Sequence, residues 1–147
     1  MKQAEHPPVT AGANSAAEYS LAIIDQLARI DRTCSKEEMD ELVYRLLSLI
    51  GEAMQSDRVF LFERLEGTAE AYCNTFEWCA AGVKSELATL QQLDYAKYIG
   101  GWERFLETAS SVVIDDIEVL KDDDPVDYEN LKRQGIERLI ATPIYHG

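Results

Sequence analysis

The chain has 147 residues, 46% of them hydrophobic and 28% charged, which is enough for one domain with a real core. Its 14 Lys and Arg stand against 27 Asp and Glu, and the formal net charge of −13 argues against direct nucleic-acid binding, though not against a nucleotide in a locally basic pocket. No apolar run reaches the length that spans a bilayer and the N-terminus carries no signal-peptide core, so the expectation is a cytoplasmic segment without membrane insertion.

Residues 1–15, with Pro7-Pro8, Gly12 and Asn14, read as a flexible lead. Over residues 16–31, Tyr19, Ile23, Leu27 and Ile30 recur at helical spacing, and Ile24 widens the stripe. Something must cover that stripe. Either the helix folds back on its own domain or it pairs with its copy in a second chain. Ser35-Lys36-Glu37-Glu38 is a capping box, in which Ser35 accepts from backbone N–H groups and Glu38 reaches back. The helix it opens carries Met39, Leu42, Val43, Leu46, Leu49, Ile50 and Ala53, and is predicted to end near Gln55 and to lie across one face of a sheet.

Val59-Phe60-Leu61-Phe62 is a continuous apolar run, and Glu66-Gly67-Thr68 separates it from a second strand over residues 71–79. Two such runs joined by a short Gly-containing loop predict a β-hairpin. The period of two puts Tyr72, Asn74, Phe76 and Trp78 on one face of the second strand and Cys73, Thr75, Glu77 and Cys79 on the other. Residues 82–93 have no firm period. Residues 95–108 look helical, with Tyr98, Trp102, Phe105 and Leu106 on one side. Gly100-Gly101 interrupts them, at a cost of roughly 2 kcal/mol relative to alanine, and predicts a break or a helix start at Gly101. A short strand of β-branched residues follows over 111–115. Asp124 before Pro125 predicts an N-cap, with the helix running through Tyr128 and Leu131 to a cap at Gly135. Residues 138–145 read as a final strand, its pairing limited on one side by Pro143.

Little in the chain points to catalysis or to a metal. Cys34, Cys73 and Cys79 are an odd number without secretory context, so reduced thiols are expected. Cys73 and Cys79 share a strand face but lie about 20 Å apart in a straight strand, too far for a disulfide. Asp122-Asp123-Asp124 lacks the spacing of an EF-hand and reads as a solvated helix cap. Neither His6 nor His146 has a ligand partner at metal spacing, and no phosphate loop, nucleophile elbow or HExxH motif occurs. No catalytic residue, metal or cofactor is predicted.

Several segments, taken in order, are similar to a known family. They are Asp57-Arg58-Val59-Phe60-Leu61-Phe62-Glu63, Asn74-Thr75-Phe76-Glu77-Trp78-Cys79-Ala80-Ala81-Gly82-Val83 and Leu90-Gln91-Gln92-Leu93. Trp102, Val113-Ile114-Asp115-Asp116, Gln134-Gly135-Ile136 and Ala141-Thr142-Pro143-Ile144 continue the pattern. Together they resemble a GAF domain of the bacterial signalling branch, as found ahead of diguanylate cyclase, cyclic-di-GMP phosphodiesterase and histidine kinase domains. The resemblance covers residues 34–147. It implies an α+β fold of the GAF type, related to profilin and PAS: an antiparallel sheet with helices on one face and a pocket covered by loops and helices on the other. It also implies a last strand and a closing helix that the sequence does not contain. The final strand is therefore expected either to close directly on Val59–Phe62 or to pair with another chain, rather than to fray.

The implied site is an aromatic box with one amide handle: Asn74, Phe76 and Trp78 from the strand, and Tyr98, Trp102 and Phe105 from the covering segment. The same aromatics would serve equally as a closed core. The leading expectation is a sensory and regulatory domain that binds an unknown small molecule, forms a homodimer through residues 16–31, and acts on an output domain in a parent chain. The alternative is a dimerisation module with a filled core. A third reading is a thiol-redox enzyme of the methionine sulfoxide reductase type, since those GAF enzymes use several cysteines, but the residues around Cys73 and Cys79 resemble the signalling branch instead. Bilin attachment needs a Cys-His pair, which this sequence lacks.

Overall fold

The computed structural model describes residues 16–30, 34–65, 71–98 and 111–144. In chain order the elements are α1 (Ala16–Ala28), α2 (Lys36–Met54), β1 (Arg58–Arg64), β2 (Ala71–Cys79), β3 (Leu93–Asp94), α3 (Tyr95–Tyr98) and β4 (Val112–Ile114). A 3-10 turn (Ile117–Val119), α4 (Leu120–Asp123), α5 (Pro125–Arg133) and β5 (Leu139–Ala141) complete them. This is an α+β mixture. The expected lead, the hairpin loop around Gly67, the Gly100-Gly101 break, the helix beyond Tyr98 and the end of the last strand at Tyr145 lie outside the described residues. No helix among the described residues is long and apolar enough to cross a membrane.

One sheet was expected, but two small ones form, ordered β1-β2-β3 and β4-β5. The chain divides into two compact units that interleave in sequence. One is built on α1, α2, the start of β1 and the segment Phe76–Ser85; the other takes Leu61–Thr75 and the chain from Glu86 onward.

In the first unit α1 folds back against α2. Its covered positions are Tyr19, Ala22, Ile23 and Gln26, one helical face, and all are only half-buried. Leu21, Ile24 and Leu27 point outward, 67%, 60% and 52% exposed. Of the predicted stripe, then, Tyr19 and Ile23 are covered while Ile24, Leu27 and Ile30 are not. α2 begins at the predicted capping box. The Glu38 N–H donates to Ser35 Oγ at 3.2 Å, and the Ser35 N–H donates to Glu38 Oε2 at 2.8 Å. The helix ends at Gln55, whose φ of 52° places it in the left-handed region. Leu47 and Gly51, one turn apart, are its buried residues, so the helix face turned inward is centred on them. Periodicity missed both. The predicted Met39, Leu42, Val43, Leu46, Leu49 and Ala53 are half-buried flanks of that face, and Ile50 is exposed. Gly51 is small for a reason: a Cβ there would sit 2.2 Å from Trp78 Cζ3 and 2.3 Å from Cε3.

In the second unit β2 pairs antiparallel with β3, Ala71 opposite Asp94 and Tyr72 opposite Leu93. The last strand does not close on β1. Instead β5 pairs antiparallel with β4, with Val112 opposite Ala141, Val113 opposite Ile140 and Ile114 opposite Leu139. The physical reason lies in the connection. The 3-10 turn, α4 and α5 lead the chain out and back, and the Ile117 N–H donates to Glu137 O at 2.8 Å, which holds the two ends of that excursion together beside the ladder. Ile117 and Tyr128 form its buried centre. Asp124 caps α5 as predicted, accepting the Asp127 N–H at 3.2 Å, with Pro125 in the first turn. The helix stops at Gly135, φ 70°. There the Ile136 N–H donates to Leu131 O and the Gly135 N–H to Lys132 O, each at 3.0 Å, a Schellman motif that needs a residue without Cβ strain.

Candidate functional site

Asn74 is the most deeply buried large side chain described, 1% exposed. Its main chain is fully engaged. The backbone N–H donates to Leu90 O at 2.9 Å, and the backbone carbonyl accepts from Gln91 Nε2 at 2.8 Å. Gln91 Nε2 also donates to Leu87 O at 2.5 Å, so one side-chain amide ties the turn before β3 to the middle of β2. Next to it, the Gln92 N–H donates to Cys73 Sγ at 3.3 Å, with Gln92 in the left-handed region at φ 51°. Leu90, Leu93 and Cys73 are buried around this junction.

The Asn74 side chain is another matter. Both Oδ1 and Nδ2 are sealed from solvent and find no hydrogen-bond partner among the described residues. Burying such a group unpaired costs about 1–3 kcal/mol, and buried amides in folded proteins almost always have partners. A valine or leucine on the same strand would incur no such penalty. Asn74 is therefore a polar feature that the local fold does not itself require.

The other predicted site residues fare differently. Trp78 lies against Gly51 of α2, so it fills the helix-covered side of β2 within the first unit. Phe76 is half-buried on the same strand. Tyr98 ends α3 and is 37% exposed. Trp102 and Phe105 lie outside the described residues. Sequence reasoning missed Gln91, whose side chain holds the junction. The signal was weak, because a glutamine in an aperiodic stretch reads as loop. It also missed Glu77, which is buried at 8% exposure and accepts a hydrogen bond from Ser85 Oγ. A strand parity that put Glu77 opposite Asn74 gave no hint that both sides of β2 would be covered.

A second polar cluster fastens the 3-10 turn to α5. Tyr128 Oη donates to Glu118 Oε1 at 2.9 Å, while Lys132 Nζ donates to the same oxygen at 2.8 Å and to Tyr128 Oη at 2.7 Å. The Lys132 ammonium also sits 5.0 Å from the centre of the Tyr128 ring. The bond from Lys132, then that from Tyr128, holds the Glu118 carboxyl below its ordinary range. The same contacts, Glu118 first, push Lys132 up. Every member of this cluster is partnered, which suits a fastening rather than a reactive group. Cys34, Cys73 and Cys79 are not bridged by disulfides, and of the three only Cys73 is buried. Among the described residues no group of three or more His, Cys, Asp or Glu side chains is placed to hold a metal ion. Comparison with protein-family models, with curated proteins and with solved structures finds no match to this chain.

Proposed function

We propose that this chain is a sensory and regulatory domain of the GAF type, part of a bacterial signal-transduction protein, that binds a small molecule and has no catalytic activity of its own. The supporting observation is Asn74, a carboxamide sealed in the interior with neither atom partnered among the described residues. Small-molecule sites are built in this way, from a largely apolar surround with a few polar groups left to fix orientation. The α+β mixture, the capped helix before a hairpin and the ordered series of GAF-like segments support the same reading. A ligand with unequal affinity for two packings of the domain would shift their populations, and the helices would carry that shift to an output domain in the parent chain. The setting is cytoplasmic.

A thermal-melt screen against cyclic nucleotides, amino acids and aromatic acids tests this. A compound at a hundredfold excess over its Kd stabilises the folded state by about 2.7 kcal/mol, which raises Tm by roughly 5–11 °C for a chain of this size. Failure of every class to move Tm would leave the alternative, a dimerisation module. That second reading has its own support in α1, where Leu21, Ile24 and Leu27 stand outward at helical spacing. A homodimer through this helix is compatible with either reading.

A further inference from the structure

Asn74 carries information about what would bind. Its two free groups are one acceptor, Oδ1, and one donor pair, Nδ2, held in a single plane by the amide. Neither is charged. Its own main-chain N–H and C=O are already taken by Leu90 O and Gln91 Nε2, so they have no part in recognition. The groups bonded to this stretch of β2 are neutral as well: the Gln91 amide, the Cys73 thiol and the Leu90 carbonyl. A carboxylate or phosphate at Asn74 would meet one N–H donor and one repelling carbonyl oxygen. An ammonium would meet the reverse. A group with an adjacent N–H and C=O on one edge meets both atoms at once, its N–H donating to Oδ1 and its C=O accepting one N–H of Nδ2.

We propose that Asn74 is the recognition residue for a neutral ligand that presents a cis-amide edge, as a lactam, imide or primary carboxamide does, bound by two antiparallel hydrogen bonds to Oδ1 and Nδ2. This inference rests on the small-molecule reading above and narrows it to one class of functional group. The Gln91 bridge serves the site by fixing the Asn74 backbone from which the carboxamide projects.

The test uses the full chain, labelled with nitrogen-15, and two probes of nearly equal shape, 2-pyridone and N-methyl-2-pyridone. The first has the N–H beside the carbonyl; the second has a methyl group in its place. The expected result is a saturable shift of the Asn74 side-chain NH2 resonances with 2-pyridone and binding at least tenfold weaker with the N-methyl compound, a factor equivalent to about 1.4 kcal/mol. Asn74→Asp, which keeps the shape and loses the donor, is expected to weaken 2-pyridone by a similar factor. Equal responses to the two probes, or none at the Asn74 amide, overturn the assignment. The wild-type spectrum alone decides this even if the variant fails to fold. A compound from the melt screen that stabilises wild type and Asn74→Leu equally leaves the sensory reading standing and overturns the role of Asn74. If no compound in the screen stabilises the chain and neither probe shifts the Asn74 resonances, both fail.

Discussion

Replacing Gly51 by alanine should invert the usual rule for helices. In a helix interior Gly→Ala gains about 0.8–1.0 kcal/mol. Here the new Cβ would lie 2.2 Å from Trp78 Cζ3, where ordinary contacts are 3.4–4 Å. The ring or the helix must therefore move by 1.2 Å or more, the difference between 3.4 and 2.2 Å. Trp78 has little freedom to do so, since β2 fixes its backbone: the Ala80 N–H, two residues on, donates to Asp57 O at 2.8 Å. Overpacking of this kind costs about 1–3 kcal/mol, and a shift beyond 1 Å calls for the upper half of that range. The net expectation is a loss of about 1–2 kcal/mol, or a fall in Tm of roughly 2–8 °C. Urea unfolding followed by far-UV circular dichroism measures it without relying on the tryptophan signal. The decisive comparison repeats the substitution in Trp78→Leu, where the ring is gone and Gly51→Ala should become stabilising by about 0.8–1 kcal/mol. If Gly51→Ala stabilises the protein with Trp78 present, the helix does not rest on that ring and the reasoning fails.

Three further outcomes are expected. The Glu118 carboxyl should titrate below its ordinary value of 4.5. Its contribution to stability is therefore present above the unfolded-state value and lost as pH falls through the lower folded-state one. Lys132 is raised from 10.5, so its contribution is complete below that value and lost only as pH rises through the higher folded one. Carbon-13 NMR of the glutamate carboxyls should show Lys132→Met returning Glu118 toward 4.5, and an unchanged titration would mean the contact is absent in solution. Ser35→Ala removes one bond of the capping box and should cost about 1 kcal/mol by urea unfolding; a change within error would show that α2 does not depend on this cap. Finally, a chain beginning at Thr33 should shift toward monomer in light scattering, as should Ile24→Asp in the full chain, and an unaltered association state in both would remove α1 from the interface.

The features legible in the sequence were those set by neighbouring residues. The Ser35/Glu38 box, the Asp124-Pro125 start and the Gly135 stop each depend on a few consecutive positions, and each is where it was expected. The bounds of β2 were readable too, because alternation and flanking turn residues mark them. What resisted was anything decided across the fold. Leu47 and Gly51 escaped because the apolar stripe of α2 is broad, and the side that turns inward depends on where Trp78 comes to rest. β3 is two residues long, too short to leave a period. β5 was expected to pair with β1 or with a strand of another chain, since strand content does not say which neighbour lies nearer. It pairs with β4 instead, and the Ile117–Glu137 bond, spanning twenty residues, holds the ends of the connection beside that ladder. At the candidate site Asn74 was visible as the one amide among aromatics. Its complete burial was not, because that depends on Leu90 and Gln91 arriving from an aperiodic stretch.

The Gln91 bridge has a consequence for how safely β2 meets other molecules. The ladder with β3 ends at Tyr72, and a strand left open past that point would offer its main-chain groups to any passing chain. At Asn74 those groups are occupied instead, the N–H by Leu90 O and the carbonyl by the Gln91 side chain. A loop carbonyl and a single side-chain amide thus do the work of two further residues of strand, without adding a longer flat rim that would itself need protection. Sheets resist fibril growth when their rims are blunted in ways that a neighbouring strand cannot copy. Gln91 is such a blunt end at this point of β2, supplied by a residue that neither its hydropathy nor its secondary structure marks out.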